Sequence, residues 1–223
     1  VYNFLQGGAG INVLARLAGA EVKVVDVGVA DPTLQDPNLI SRKVRLGTVN
    51  MTKGAAMTRQ EAIKAIEVGI EIAQTEIDQG INLLATGEMG IGNTTSSSAI
   101  LASYTDTPLS IIVGPGVGLN AEGVNKKVKV IETALEVNHP DPNDPIDVLA
   151  KVGGLEIAGM TGLILGCAAR RTPVVIDGFI SGAAALIACK MAPRVKDYII
   201  ASHLSEEPGH LVLLEVIGLE PML

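Results

Sequence analysis

The chain has 223 residues and a formal net charge of -7; 48% of it is hydrophobic and only 2% is aromatic. An acidic balance of this kind excludes a general nucleic-acid-binding surface, and so few rings exclude an aromatic core. The interior must be built from Val, Ile, Leu and Ala closed around 25 glycines, which suits a buried parallel sheet covered by helices.

No run reaches the ~20 consecutive apolar residues that a membrane-spanning helix requires. Cys167 and Cys189 form no CxxC pair and sit in apolar, helix-like stretches, the pattern of buried reduced thiols in a cytoplasmic protein. His139, His203 and His210 are not spaced as metal ligands, so neither a metal nor a cofactor is expected.

In chain order, residues 3–19 open on an apolar, helix-like run. Residues 22–27 read as a strand, residues 31–38 as a Pro/Asp loop and residues 43–46 as a short strand. A helix follows, with Thr58 and Glu61 as its capping box and a stripe of Ile63, Ile66, Ile70, Ala73 and Ile77. Gly80 stands where a C-terminal glycine belongs. Residues 81–85 are the next strand. Residues 110–113 are expected as a strand leading into the glycine loop 114–118. A second helical stripe comprises Val124, Val128, Ile131 and Leu135. Residues 138–147, NHPDPNDPID, read as a linker with no regular element. Residues 157–169 read as a packed core helix, and residues 174–176 and 198–200 as the last strands. Strands alternating with helices indicate one α/β domain over residues 1–223 with a doubly wound, mostly parallel sheet and helices on both faces. Ligands of such sheets bind beyond the carboxyl ends of the strands.

Most of the chemistry is concentrated in residues 81–98, INLLATGEMGIGNTTSSS. Gly87, Gly90 and Gly92 let the backbone approach a ligand, while Asn93, Thr94, Thr95 and Ser96 cap the helix that follows and leave amides for an anion. Glu88 would repel a neighbouring phosphate, which places it toward a ribose hydroxyl or a reacting base. The loop is neither a P-loop nor a dinucleotide fingerprint; it reads as a ribose-phosphate signal or as a plain tight turn. The second loop, GPGVG at 114–118, is an anion loop or a structural turn. Lys126 and Lys127 are solvated, or one of them reaches back to a phosphate held by the two loops. Asp177 is either a helix N-cap or a ligand to polar substrate groups. The serines of 202–210, SHLSEEPGH, complete an anion site.

The segment GEMGIGNTTSSSAI at 87–100 closely resembles the signature of the nicotinate-nucleotide:dimethylbenzimidazole phosphoribosyltransferase family. The resemblance extends to NFLQGGAGINVLAR at 3–16, VVDVGV at 24–29, GTVNMTKGAAMT at 47–58, VGGLEIAGMTG at 152–162, VVIDGFISGAAAL at 174–186 and SHLSEEPGH at 202–210. It implies transfer of phosphoribose from nicotinate mononucleotide to dimethylbenzimidazole, giving α-ribazole phosphate for cobalamin, by a homodimer with a parallel α/β sheet and a small helical domain. It also implies that Glu88, Gly90, Gly92, Asn93 and Thr94 line the nucleotide site, with Glu88 near the chemistry, and that Gly116, Lys127 and Ser205 contact phosphate and ribose. The family commonly has threonine where Val117 stands. Its proton-accepting glutamate lies in a Gly-Glu-Gly-Thr-Gly segment beyond Leu223, and an N-terminal helical part helps to wall the base pocket. The expectation is a fragment that binds nucleotide and turns over poorly. A sister enzyme acting on phenolic or other bases and a non-catalytic nucleotide-binding subunit are the alternatives.

Overall fold

A computed structural model describes residues 1–223, which divide into two compact units, Val1–Gly47 and Thr48–Leu223.

The first unit contains helices α1 (Tyr2–Leu5) and α2 (Gly10–Ala18) and strands β1 (Val24–Asp26) and β2 (Leu39–Ser41). The strands pair in parallel, Val24 opposite Leu39. The strand expected at 43–46 lies a few residues earlier, at β2. Beyond β2 the backbone stays attached to the β1 side through Arg42 N–H to Asp26 O and Val44 N–H to Val27 O, without regular strand geometry. Asp26 is buried; its Oδ1 accepts from Val29 N–H and its Oδ2 meets the Lys43 ammonium at 2.6 Å.

In the second unit, α3 (Arg59–Asp78) starts at the expected capping box, with Thr58 and Glu61 satisfying each other's backbone amides. It ends at Gln79, followed by Gly80 at φ +98°. Next come β3 (Leu84–Ala85), α4 (Thr94–Ala102), α5 (Leu109–Ile112), α6 (Ala121–Asn138), α7 (Pro145–Val152), α8 (Leu155–Ala169), β4 (Val174–Ile176), α9 (Phe179–Met191), a 3₁₀ turn (Pro193–Tyr198), β5 (Ile199–Ala201) and α10 (Gly209–Ile217). The sheet order is β3-β4-β5, all parallel, with Leu84 opposite Val174 and Val174 opposite Ile199. The class is therefore the expected α/β with helical crossovers between parallel strands, and the strands fall into two sheets.

Two local expectations need correction. Residues 110–113 form the end of α5 and one extended residue, not a strand. The apolar run SIIV is too short for its period to separate the two states, and Pro108, with φ -55°, sets up a helical turn. The linker 138–147 ends inside α7. Asp144 accepts from Ile146 and Asp147 N–H, and Pro145 stands at the first helical position, where its missing N–H is harmless.

Helices α3 and α8 are in backbone contact. A Cβ on Gly69 would lie 1.8 Å from Gly159 O, and one on Gly162 would lie 1.8 Å from Ile66 O. The buried face of α3 is Ala62, Ala65, Ile66, Gly69, Ile72 and Ala73, rotated toward small residues from the isoleucine stripe expected. The predicted core helix is present as α8. The parallel strands bring loops 86–93, 177–178 and 202–208 to one edge, the carboxyl end of β3, β4 and β5.

Candidate functional site

The site is organised by a buried lysine. Lys127, on α6, is only 6% exposed, whereas Lys126 beside it is exposed. Its ammonium donates to Thr94 Oγ1 at 2.8 Å and to Gly114 O at 3.0 Å. It therefore joins the first turn of α4 to the second glycine loop. Burial pushes its pKa below the ordinary 10.5, an effect partly opposed by the charge of Glu207.

The N-terminus of α4 is open. Asn93 precedes it but makes no capping hydrogen bond, because its amide donates instead to Glu88 Oε2 at 2.7 Å. The first α4 amide bonded to a preceding carbonyl is Ser97 N–H, to Asn93 O at 3.0 Å. The amides of Thr94, Thr95 and Ser96 therefore carry the positive end of the helix toward Lys127. Further along, Ser97 and Ser98 turn inward and are buried, with Ser98 Oγ bonded to Thr94 O. Only the head of the hydroxyl run faces the site.

Glu88 is tied into its own loop: its Oε2 also accepts from Gly90 N–H, and Gly90 and Gly92 sit at φ +75° and +79°. That left-handed backbone suits glycine and lets the chain curl around the carboxylate. Beyond Asn93 lies a second carboxyl, Glu156 at the head of α8. Burial raises its pKa; hydrogen bonds from its own backbone amide and the Asn93 side chain oppose that rise, and the Glu88 charge adds to it.

The second loop is held from the other side. Gly116 N–H, at φ +56°, donates to Glu207 Oε1 at 2.9 Å, and Glu207 Oε2 is buried without a donor. A Cβ on Gly116 would lie 2.8 Å from Thr94 Oγ1 and 3.7 Å from Lys127 Nζ, so glycine is required for the two loops to meet. Val117, at the threonine position of the family pattern, is 83% exposed.

At the ends of β4 and β5, Ser205 N–H donates to His210 Nδ1 at 2.9 Å, and Ser205 Oγ is buried and unpartnered. Burial, with the nearby His203 adding to it, pushes the pKa of His210 down to about 4, so its ring is neutral and able to accept. Asp177 does not cap α9: that position is Gly178, and no side chain caps it. The Asp177 carboxylate lies 3.9 Å from His203 Nδ1, and its carbonyl accepts from Ser202 Oγ. Cys167 and Cys189 are pushed up to about 12 and about 11 by burial, which leaves both thiols protonated.

The structure therefore brings Thr94, Gly116 and Lys127 into direct contact. Glu88, Gly90 and Asn93 form a second cluster at the head of the same helix, while Gly92 is exposed in that loop. Asp177 and Ser205 lie on the neighbouring strand ends, without a hydrogen bond to the lysine cluster. Sequence reasoning missed Glu207, His210 and Glu156. In the segment SEEPGH nothing distinguishes Glu207 from Glu206 except its place just before Pro-Gly. His210 is five residues from its partner and has no local signal.

A family model described as "Phosphoribosyltransferase" matches residues 1–223. Curated relatives named nicotinate-nucleotide–dimethylbenzimidazole phosphoribosyltransferase are 58% identical over 223 residues in Geobacter sulfurreducens and 57% identical over 223 residues in Desulforamulus reducens. All of this chain aligns, against 63% and 64% of theirs, so it spans a little under two thirds of their length. Among solved structures, CobT from Thermus thermophilus superposes with a TM-score of 0.94 at 44% identity, covering 100% of this chain and 66% of that one. A nicotinate-nucleotide-dimethylbenzimidazole phosphoribosyltransferase from the same organism gives 0.91 at 44%, covering 99% and 65%.

Proposed function

Given that the chain belongs to the nicotinate-nucleotide:dimethylbenzimidazole phosphoribosyltransferase family, we propose that it holds the phosphoribosyl group of nicotinate mononucleotide for transfer to dimethylbenzimidazole. The observation that carries this reading is the buried Lys127 ammonium set between Thr94 Oγ1 and Gly114 O. A phosphate placed there meets a fixed positive charge, the open amides of α4 and the backbone of a glycine loop.

In this reading a benzimidazole nitrogen attacks the anomeric carbon of the ribose from the face opposite nicotinate. The bond from that carbon to the pyridinium nitrogen breaks, and its electron pair leaves with nicotinate, which needs no proton. The azole N–H proton passes to a carboxylate. The residues of this chain position the reactants: Lys127, Thr94 and Gly116 hold the phosphate, and Glu88, shaped by Gly90 and Asn93, faces the ribose. Asp177 and Ser205 bound the pocket at the strand ends. By the family resemblance the proton acceptor is the glutamate of the Gly-Glu-Gly-Thr-Gly segment. Positioning of two reactants supplies much of the acceleration in such a displacement, and a general base contributes ~10²–10⁴-fold.

The same resemblance makes the working form a homodimer, and the unpaired cysteines Cys167 and Cys189 suit a reducing cytoplasm. An acidic chain with no helix long and apolar enough to cross a membrane is compatible with that setting. The test is incubation of the protein with nicotinate mononucleotide and a panel of benzimidazoles and phenols. Mass spectrometry should show free nicotinate and α-ribazole phosphate. Preferential formation of an O-linked product would redirect the assignment to phenolic bases, and no calorimetric binding of nicotinate mononucleotide together with no product would remove it.

A further inference from the structure

We infer that Glu207 is a tethered anion that holds the second glycine loop and gives way to the phosphate of a bound ligand. The inference rests on reading this site as a phosphoribosyl site. Gly116 N–H, in the second glycine loop, donates to an anion within the chain, Glu207 Oε1, at 2.9 Å across 91 residues of sequence. The other carboxylate oxygen is buried with no donor. It lies so close to the loop that a Cβ on Gly114 would stand 2.4 Å from it and 2.5 Å from Pro208 Cδ. Gly114 thus admits a carboxylate on one side, while its carbonyl accepts from Lys127 at 3.0 Å.

The charges follow from this geometry. An isolated buried ammonium is strongly disfavoured, and the Glu207 charge lies close enough to favour the charged form of Lys127. The carboxylate therefore offsets the lysine charge and keeps the loop in register. A phosphate dianion brings two more negative charges to the same lysine. One N–H serves one good acceptor, and a carboxylate beside a phosphate is repulsive in a partly desolvated site. Glu207 and phosphate are accordingly alternatives at Gly116 N–H, and Glu207 sets how strongly a phosphate-bearing ligand must bind in order to enter. A nucleoside without phosphate presents no phosphate to exchange with Glu207.

The discriminating variant is Glu207→Gln, which keeps an oxygen to accept from Gly116 N–H and removes the charge. Isothermal titration of the full chain with inorganic phosphate and with nicotinate mononucleotide should show both binding about tenfold more tightly than to the parent protein. Nicotinate riboside, which lacks the phosphate, should bind both proteins equally. Equal or weaker phosphate binding by the variant, or no binding by either protein, overturns the inference. A gain for phosphate, with neither protein binding the mononucleotide, upholds the exchange and removes the phosphoribosyl reading instead. A second measurement needs no variant. Gly116 and Gly209 are the only glycines that follow a proline, so ¹³C-carbonyl proline with ¹⁵N-glycine labelling yields two resolved amide signals. Saturating phosphate should shift the Gly116 signal as its acceptor changes. A stationary Gly116 signal in the phosphate-bound protein sinks the idea.

Discussion

Lys127 shows how much depends on one side chain. Lysines in pairs on a helix are usually solvated, and the residue pattern left both readings open for Lys126 and Lys127, with the family resemblance pointing to Lys127; burial on one face of α6 separates them. Lys127→Ala should weaken nicotinate mononucleotide binding by ~1–3 kcal/mol, the range for a hydrogen bond to a charged group. Unchanged affinity in calorimetry would return the residue to a structural role. Its lowered pKa also gives two pH effects of opposite sign. Between the depressed folded value and the unfolded 10.5, deprotonation relieves the burial penalty and favours folding, while phosphate affinity falls as the charge is lost. Comparison with Lys127→Met over alkaline pH should remove both effects. His210 acts at the acid end. Its folded pKa of about 4 lies below the ordinary 6.5, so the unfolded chain binds the extra proton first. The stability that His210 contributes is complete above about pH 6.5 and is lost as pH falls toward 4, at about 2–4 °C of melting temperature per kcal/mol. His210→Asn keeps an acceptor for Ser205 N–H without the titration and should flatten that slope; an unchanged slope would assign the acid loss to other groups.

Among the elements, the α3–α8 contact is the most sensitive. Two helices approach until glycines on each face the other's backbone, so there is no flexible neighbour to move aside. Gly162→Ala places a methyl group 1.8 Å from Ile66 O. Overpacking typically costs ~1–3 kcal/mol, and a backbone obstacle puts this site at the upper end or above it. Urea denaturation should show stability falling by that amount, and a neutral result would mean that the helices separate easily. The helices themselves were legible from Thr58, Glu61, Gly80 and the apolar periodicity. Their facing was only half legible. A hydrophobic stripe identifies the most apolar direction, whereas close helix packing selects the smallest one, and on α3 those directions differ by part of a turn. The same limit explains α5: four apolar residues carry no usable period, and the proline before them decided the outcome.

For the molecule as a whole, stability is unevenly distributed. The unit Val1–Gly47 buries only Ala9, Ala15, Val27 and Leu34 among its apolar side chains, whereas Thr48–Leu223 holds the fully buried Ile, Leu and Met residues. Small cores are marginal, so hydrogen exchange should show amides of 1–47 opening first, with protection at least about tenfold below that of α8 and α9. Uniform protection along the chain would contradict this. The sequence by itself determined the α/β class, the parallel crossovers, both glycine loops and the family, because those features are local: periodicity, caps, clustered glycines and short motifs. Only the tertiary structure decided which lysine is buried, that Asp177 leaves α9 uncapped, and that Glu207 reaches the second loop. Those outcomes depend on residues 13 to 91 positions apart meeting in space, and a packed interior chooses such partners by shape and charge that no short window of sequence contains.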